Sequence, residues 1–183
     1  ESFSNSVKRA VGIISATSSG AIGITTNKIT GLALDTGLVS IGDLVINQHY
    51  RAGAKVTAVG SGTSIVVDRD STNTAAATGQ SVNFLGVTTA YTSPVATKSV
   101  LIGGTFANLT ENNINIYVEV LDESETAGVS SIMLASDIPI PSGSSFVISE
   151  AGKTVLEATD KVLVYSDTAS SVDVNLSILK GVS

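Results

Sequence analysis

The segment Ile114-Asn115-Ile116-Tyr117-Val118-Glu119-Val120 alternates apolar and polar side chains without a slip, and Val172-Asp173-Val174-Asn175-Leu176-Ser177-Ile178 does the same. Successive side chains on a strand point to opposite faces, so unbroken period two specifies strands with one face buried. Ile114, Ile116, Val118 and Val120 are expected inside and Asn115, Tyr117 and Glu119 outside. Val172, Val174, Leu176 and Ile178 are likewise expected opposite Asp173, Asn175 and Ser177. No stretch of comparable length carries a 3.6-residue apolar stripe, so little or no α-helix is expected beyond a turn near Leu156-Glu157-Ala158. Composition points the same way: Ser and Thr make up about a quarter of the 183 residues, Val and Ile crowd the apolar set, and only 14% of residues are charged. That mixture favours strands over exposed helices.

Two textures follow one another along the chain. Residues 3–15 read as one extended segment that Ser18-Ser19-Gly20 breaks. From Ile22 to Leu85 come six short runs punctuated by glycine, which predict a small β-barrel or sandwich. Lys55–Gly60 and Thr63–Asp68 flank Ser61-Gly62 and read as a hairpin, because glycine supplies the positive φ of a tight turn. After Gly86 the runs lengthen, separated by turn signals at Asn112-Asn113, Asp122-Glu123-Ser124-Glu125 and Pro139-Ile140-Pro141-Ser142-Gly143. Several long alternating strands are most simply buried as two packed antiparallel sheets, so the class expected is all-β, an antiparallel β-sandwich, jelly-roll-like, with a smaller β domain beside it.

The chain is short of reactive parts. It has no Cys, which excludes a disulfide framework, a thiolate zinc site and a thiol nucleophile, and its single His excludes a multi-histidine metal cage. That residue, His49, lies in the loop-like stretch Asn47–Arg51 and reads as a surface or interface histidine. Asp68-Arg69-Asp70 begins like a calcium loop, but Asn73 stands at the sixth position and Gly79 at the twelfth, where an EF-hand needs Gly and Glu. It reads instead as a turn whose side chains bond its own backbone. The acidic run from Asp122 to Glu125 reads as a solvated hairpin tip, and neither Gly60-Ser61-Gly62 nor Gly103-Gly104 has the lysine or helix start of a phosphate-binding loop. Neither a cofactor nor a metal is expected.

Net charge is −6, with six basic and five acidic residues up to Gly86 and four against eleven beyond it. No clustered Lys and Arg are present to neutralise phosphates, so nucleic acid is not an expected partner. The 27 uncharged residues between Asp70 and Lys98 are full of Thr, Ser and Asn and do not read as a membrane span, nor does the N-terminal stretch read as a signal peptide. A mean hydropathy of +0.36 with so little charge leaves apolar and hydroxyl-bearing side chains on the surface, as expected for a chain that packs against partners.

Thr89-Ala90-Tyr91-Thr92-Ser93-Pro94, Lys98–Gly103 with Phe106–Thr110, Asp137–Ser145, Gly152–Glu157 and Ser170–Val174 together resemble a β-sandwich module of tailed-bacteriophage virion proteins of the marine and cyanobacterial phage type. In that module a segment like Phe3-Ser4-Asn5-Ser6-Val7 leads almost directly into the Tyr-Thr-x-Pro segment, whereas here about 70 residues intervene. The intervening Ile29–Leu32, Val39–Val45, Arg51–Val59 and Thr63–Val67 are similar to a small β domain recurring in phage structural proteins. They depart from it at Asn47-Gln48-His49-Tyr50, where that domain has a Gly-x-Gly-Ile-Pro-like turn. The resemblance implies that residues 16–86 are inserted into a sandwich made of residues 1–15 and 87–183, with joints at Ser18-Ser19-Gly20 and Gly86. It further implies a non-enzymatic virion component. The favoured form is a capsid decoration or cement protein on the capsid exterior, self-associating as a homotrimer and bridging major capsid subunits. A tail, neck or fibre protein is the alternative, and a carbohydrate-binding adhesin a more remote one, since the chain has no Trp and four Tyr for stacking on sugar. The contact residues expected are Phe3, Val7, Lys8 and Arg9 of the N-terminal arm and His49, Tyr50 and Arg51 of the loop, because aromatic and Arg side chains are the usual anchors.

Overall fold

The computed structural model describes residues 1–33, 39–60, 63–123, 130–149 and 153–182. Fifteen strands and no helix are present among them: β1 (Ser2–Val11), β2 (Ile13–Ile22), β3 (Lys28–Thr30), β4 (Leu44–Ile46), β5 (Val56–Val59), β6 (Ser64–Val67), β7 (Ala77–Gly86), β8 (Thr88–Thr92), β9 (Lys98–Asn108), β10 (Ile114–Asp122), β11 (Ser130–Ile140), β12 (Ser145–Ile148), β13 (Thr154–Leu156), β14 (Lys161–Ser166) and β15 (Val172–Val182). The chain is all-β and every strand pair is antiparallel. It divides into two compact units, residues 1–12 with 88–183 and residues 13–87.

In the first unit one sheet has the order β1-β15-β9-β12, with β13 also on β9, and the other has the order β11-β10-β14-β8. Val172, Val174, Leu176 and Ile178 of β15 are all buried, as their alternation requires. They pack in one core with Leu101 and Phe106 of β9, Ile114, Ile116 and Val118 of β10, and Val162 and Val164 of β14. One apolar core between two antiparallel sheets is the arrangement of a β-sandwich. Phe106 is fully buried in it, with its ring 6.0 Å from that of Phe146.

β10 departs from the expected one-sided burial. Tyr117 and Glu119 are buried as well as Ile116 and Val118, with Glu119 at 0% exposure. The Tyr165 hydroxyl donates to Glu119 Oε2 at 3.3 Å, and the Tyr117 hydroxyl donates to Asp137 Oδ1 at 2.7 Å. Hydrogen-bonded polar groups are tolerated inside, and burial with the carboxylate of Asp137 beside it pushes the Tyr117 phenol well above its ordinary value. Pro139, expected in a loop, lies within β11 opposite Asn115. β11 is an edge strand, where a missing N–H costs no ladder bond. The turn follows it, with Ser144 N–H donating to Pro141 O and Gly143 at φ +69°.

The second unit is a six-stranded sheet in the order β4-β7-β2-β3-β6-β5. A bridge between Leu44 and Lys55 joins its two ends, as do bonds from Val45 N–H to Ala54 O and from Val56 N–H to Asp43 O, so the sheet closes into a small barrel. Ile22, Ile29, Val56, Ile65, Val82 and Phe84 fill it. The hairpin expected here is β5 and β6, paired Val56↔Val67 through Val59↔Ile65; its turn residues Ser61 and Gly62 lie outside the described residues.

The second joint falls within a residue of Gly86, at Val87, and the first falls earlier than expected. Ser18-Ser19-Gly20 does not break the chain: β2 runs through it, with Ser18 opposite Val82 and Gly20 opposite Gln80. Glycine is needed there because a Cβ at position 20 would come within 2.7 Å of Leu32 Cδ2 and 3.0 Å of Ile29 Cγ2. The turn is at Gly12, whose φ is +126° and where a Cβ would meet Thr168 O at 2.0 Å. Ile13 and Ile14 therefore pair with Gly86 and Leu85, and residues 13–15 belong to the second unit.

Candidate functional site

The outward face of the β1-β15-β9-β12 sheet is built by register. Phe3 stands opposite Leu179, Leu179 opposite Val100, and Val100 opposite Val155, a row of four apolar side chains across four strands. Phe3 is 80% and Val155 59% exposed, and Leu179 and Val100 are partly exposed. A parallel row runs Val7, Asn175, Thr105, Val147, with Val7 60% and Val147 56% exposed at its two ends. Between the rows Asn5, Ser177 and Gly103 line up as a furrow of small residues. Two shallow hollows occupy this face, one of about 410 Å³ beside Phe3, Val100, Ile102 and Leu179, the other of about 300 Å³ over Gly103 and Ser177 between Ile102 and Val147. Scattered exposed aliphatics are ordinary, but the row Phe3, Leu179, Val100, Val155, with Ile102 beside it, makes a contiguous apolar strip of the kind that marks an interaction surface.

Two ion pairs stand at the ends of this face, and Lys153 lies beside the hollow at Phe3. Arg9 Nε lies 3.9 Å from Asp173 Oδ2, and Lys98 Nζ lies 2.9 Å from Glu157 Oε1. Lys180 turns to the other side, over the Tyr91 ring at 5.6 Å. The structure thus brings Phe3, Val7 and Arg9 to one face and leaves Lys8, one residue out of phase, on the other side of β1. Sequence reading missed Leu179, Val100, Val155 and Val147. Their outward alternation with Ile178, Leu101, Leu156 and Ile148 is visible in the sequence, but which strands they adjoin is not.

His49, Tyr50 and Arg51 lie in the other unit. Tyr50 is not a surface anchor: it is buried, its hydroxyl donates to Thr26 O at 3.1 Å, and burial together with the charge of Asp70 pushes the phenol up to about 12. The His49 imidazole is 3.4 Å from the Gln48 side-chain amide, an amide where a catalytic dyad would hold a carboxylate. Its backbone oxygen accepts from Thr72 N–H at 2.7 Å and the Thr72 hydroxyl at 3.1 Å. Arg51 is exposed and lines an open cleft of about 840 Å³ with Asp68, Asp70, Thr72 and Asn73.

Asp68 does not cap its own turn. It accepts Lys55 N–H at 3.0 Å and is gripped through Nε and one terminal nitrogen by Arg69, which also donates to Ala52 and Gly53 carbonyls. Burial raises the Asp68 carboxyl, but those hydrogen bonds and the Arg69 and Lys55 charges outweigh it and hold the group below its ordinary value. The cleft floor is equally committed. Ser71 Oγ donates to Gly23 O, and the Asn73 amide donates to Ile22 O and Ala75 O while its buried Oδ1 has no hydrogen-bond partner among the described residues. Of the acidic tip, Ser124 and Glu125 lie outside the described residues; Glu123 pairs with Lys161. Asn108, formally a glycosylation acceptor, is buried with its amide donating to Asn112 and Ile140 carbonyls.

No protein-family model, curated protein or solved structure matches the chain.

Proposed function

We propose that this chain is a non-enzymatic structural protein of a tailed-phage virion, and that it works by presenting a rigid sheet face to its neighbours. The observation that carries this is the exposed apolar row Phe3, Leu179, Val100, Val155 on the β1-β15-β9-β12 sheet, with Val7 and Val147 exposed at the two ends of a second, mixed row. The strand order supports it. Counting the eight main strands of the sandwich unit in chain order, one sheet reads first, eighth, third, sixth, and the other fifth, fourth, seventh, second. Two interleaved Greek keys of this kind make a jelly roll, which viral capsid and lectin domains use. The resemblance in residues 89–174 and the low surface charge point to the virion rather than to a free monomer.

Within the virion the favoured role is a decoration or cement protein on the capsid exterior, in contact with the major capsid protein. Binding the assembled lattice and not its dissociated subunits would stabilise the head by mass action. A tail, neck or fibre position is the second reading, since the module resemblance extends to those proteins too. The test is imaging of purified particles together with the Phe3→Glu/Val7→Glu variant. The wild-type chain is expected at a fixed copy number on heads, with the variant lost from them; location on tails selects the second reading, and absence from particles refutes both. A carbohydrate-binding role predicts hits on a glycan array, with the cleft at Arg51 and Asp70 as the place to map them.

A further inference from the structure

We infer that the outer face of the β1-β15-β9-β12 sheet is the contact between two copies of this chain, packed sheet on sheet about a two-fold axis. This rests on reading the chain as an association module and names the partner of that face.

Size supports it first. Eleven residues of β9 at about 3.3 Å each, across four strands about 4.8 Å apart, give a face of roughly 36 by 19 Å, or about 700 Å² per copy. Two such faces bury about 1,400 Å², inside the range of about 1,200–2,000 Å² for specific interfaces. Charge supports it next. A chain of net charge −6 repels its own copies over most approaches, but here Asp173 is matched by Arg9 and Glu157 by Lys98, and Lys153 stands beside the hollow at Phe3. Two copies can meet on this face without opposing uncompensated carboxylates. A strongly acidic or basic partner would find little to complement.

Symmetry decides the number. The row from Phe3 to Val155 is a single patch, and one self-complementary patch makes an isologous pair, whereas a ring of three needs two different patches on each copy. The pairing is therefore two-fold, in place of the trimer expected above. The apolar row from Phe3 to Val155 supplies the burial, and the furrow at Asn5, Ser177 and Gly103 gives the facing row room to seat.

The experiment uses the full chain and measures mass in solution by light scattering over a range of concentrations. A species of twice the 18.5 kDa chain mass is expected, returning to a single mass in the Phe3→Glu/Val155→Glu variant with an unchanged circular dichroism spectrum. Because the chain has no cysteine, Ser177→Cys places one thiol at the centre of the face. A short bis-maleimide should then link two copies, while Val95→Cys, 80% exposed on a loop, should not link. A single mass at every concentration overturns the inference, as does a pair that survives the double substitution and leaves Ser177→Cys unlinked. The two readings fail separately: a chain that binds particles but is single in solution removes the pairing alone, and a chain that pairs but is absent from particles removes the virion role alone.

Discussion

β9, β10, β11 and β15 of the sandwich run nine to eleven residues, whereas β3 to β6 of the barrel run three or four. The sandwich therefore holds its shape through long apolar strands whose facing side chains meet in one core. The barrel has less strand to work with and ties its loops with side chains: Asp43 accepting Ser40 N–H, Asn47 donating to Ser81 O, Ser71 bridging Gly23 and Thr26, and Asp68 with Arg69 clamping residues 52–55. The difference teaches where each unit is vulnerable. A cavity should harm both, and so should alkali, since the Tyr50 phenol of the barrel and the Tyr117 phenol of the sandwich are both raised, whereas acid should act on the barrel through Asp68.

The largest effect should come from emptying the cores. Phe106 and Phe84 are each fully buried, one in each unit. Phe106→Ala and Phe84→Ala should each cost about 3–5 kcal/mol in their own unit. Amide exchange resolves where the loss falls. Phe84→Ala is expected to lower protection at Ala77–Gly86 and leave Lys98–Asn108 protected; loss in both segments would mean that the two units unfold as one and that the contrast between them is not energetic.

The sandwich has loop ties of its own, among them buried Asp160, which accepts Glu123 and Glu157 N–H, and Asn108. The Asn108 amide donates to Asn112 O and Ile140 O, and its oxygen accepts from Thr110 N–H and hydroxyl at 2.8 Å. Asn108→Ala strands the buried Ile140 carbonyl and should cost about 1–3 kcal/mol, read from denaturant midpoints. A cost below that of Asn47→Ala, whose bond lies at the surface, would reverse the expected order.

Acid and alkali test the barrel's clamps. The Asp68 carboxyl titrates lower folded than unfolded, so the stability it contributes is present above its unfolded value of about 3.9 and is lost as pH falls through the folded one. Asp68→Asn should flatten that acid limb in the barrel's unfolding curve. Tyr50 works in the opposite sense. Its phenol is raised to about 12, so its contribution is intact below the unfolded value of about 10 and drains away as pH climbs from there to 12. Tyr50→Phe should remove this alkaline loss at the modest cost of the Thr26 bond, and an alkaline limb unchanged in the variant would assign it elsewhere.

How far this was legible depended on what a side chain's polarity says about its place. In β15 it serves as far as Ile178: Val172, Val174, Leu176 and Ile178 are inside and Asp173, Asn175 and Ser177 are out, whereas Leu179 is apolar and faces out. In β10 it misleads, because Tyr165 and Asp137 satisfy Glu119 and Tyr117 and let them be buried. Tyr50 was misplaced for the same reason, an aromatic read as an anchor that is a core residue with a bonded hydroxyl. Ser18-Ser19-Gly20 looks like punctuation, yet Gly20 marks close packing on Leu32 and Ile29. Phe3, Val7 and Arg9, expected to be exposed, do lie on one face of the sheet. The face they belong to was not legible, since Phe3 meets Leu179, Val100 and Val155 only through pairing between distant strands.

The smallest expected effect is the sharpest test of that face. Val147→Thr keeps a β-branched shape at an outward position that is 56% exposed. An exposed substitution away from caps and core should change stability by no more than about 0.5 kcal/mol. If the face is a surface for neighbours, Val147→Thr should therefore leave the unfolding midpoint of dilute chain alone while weakening association. A loss of stability comparable to that of a core valine would mean that Val147 is already covered from within the same chain, and the contrast between buried core and presented face would have to be redrawn at β12.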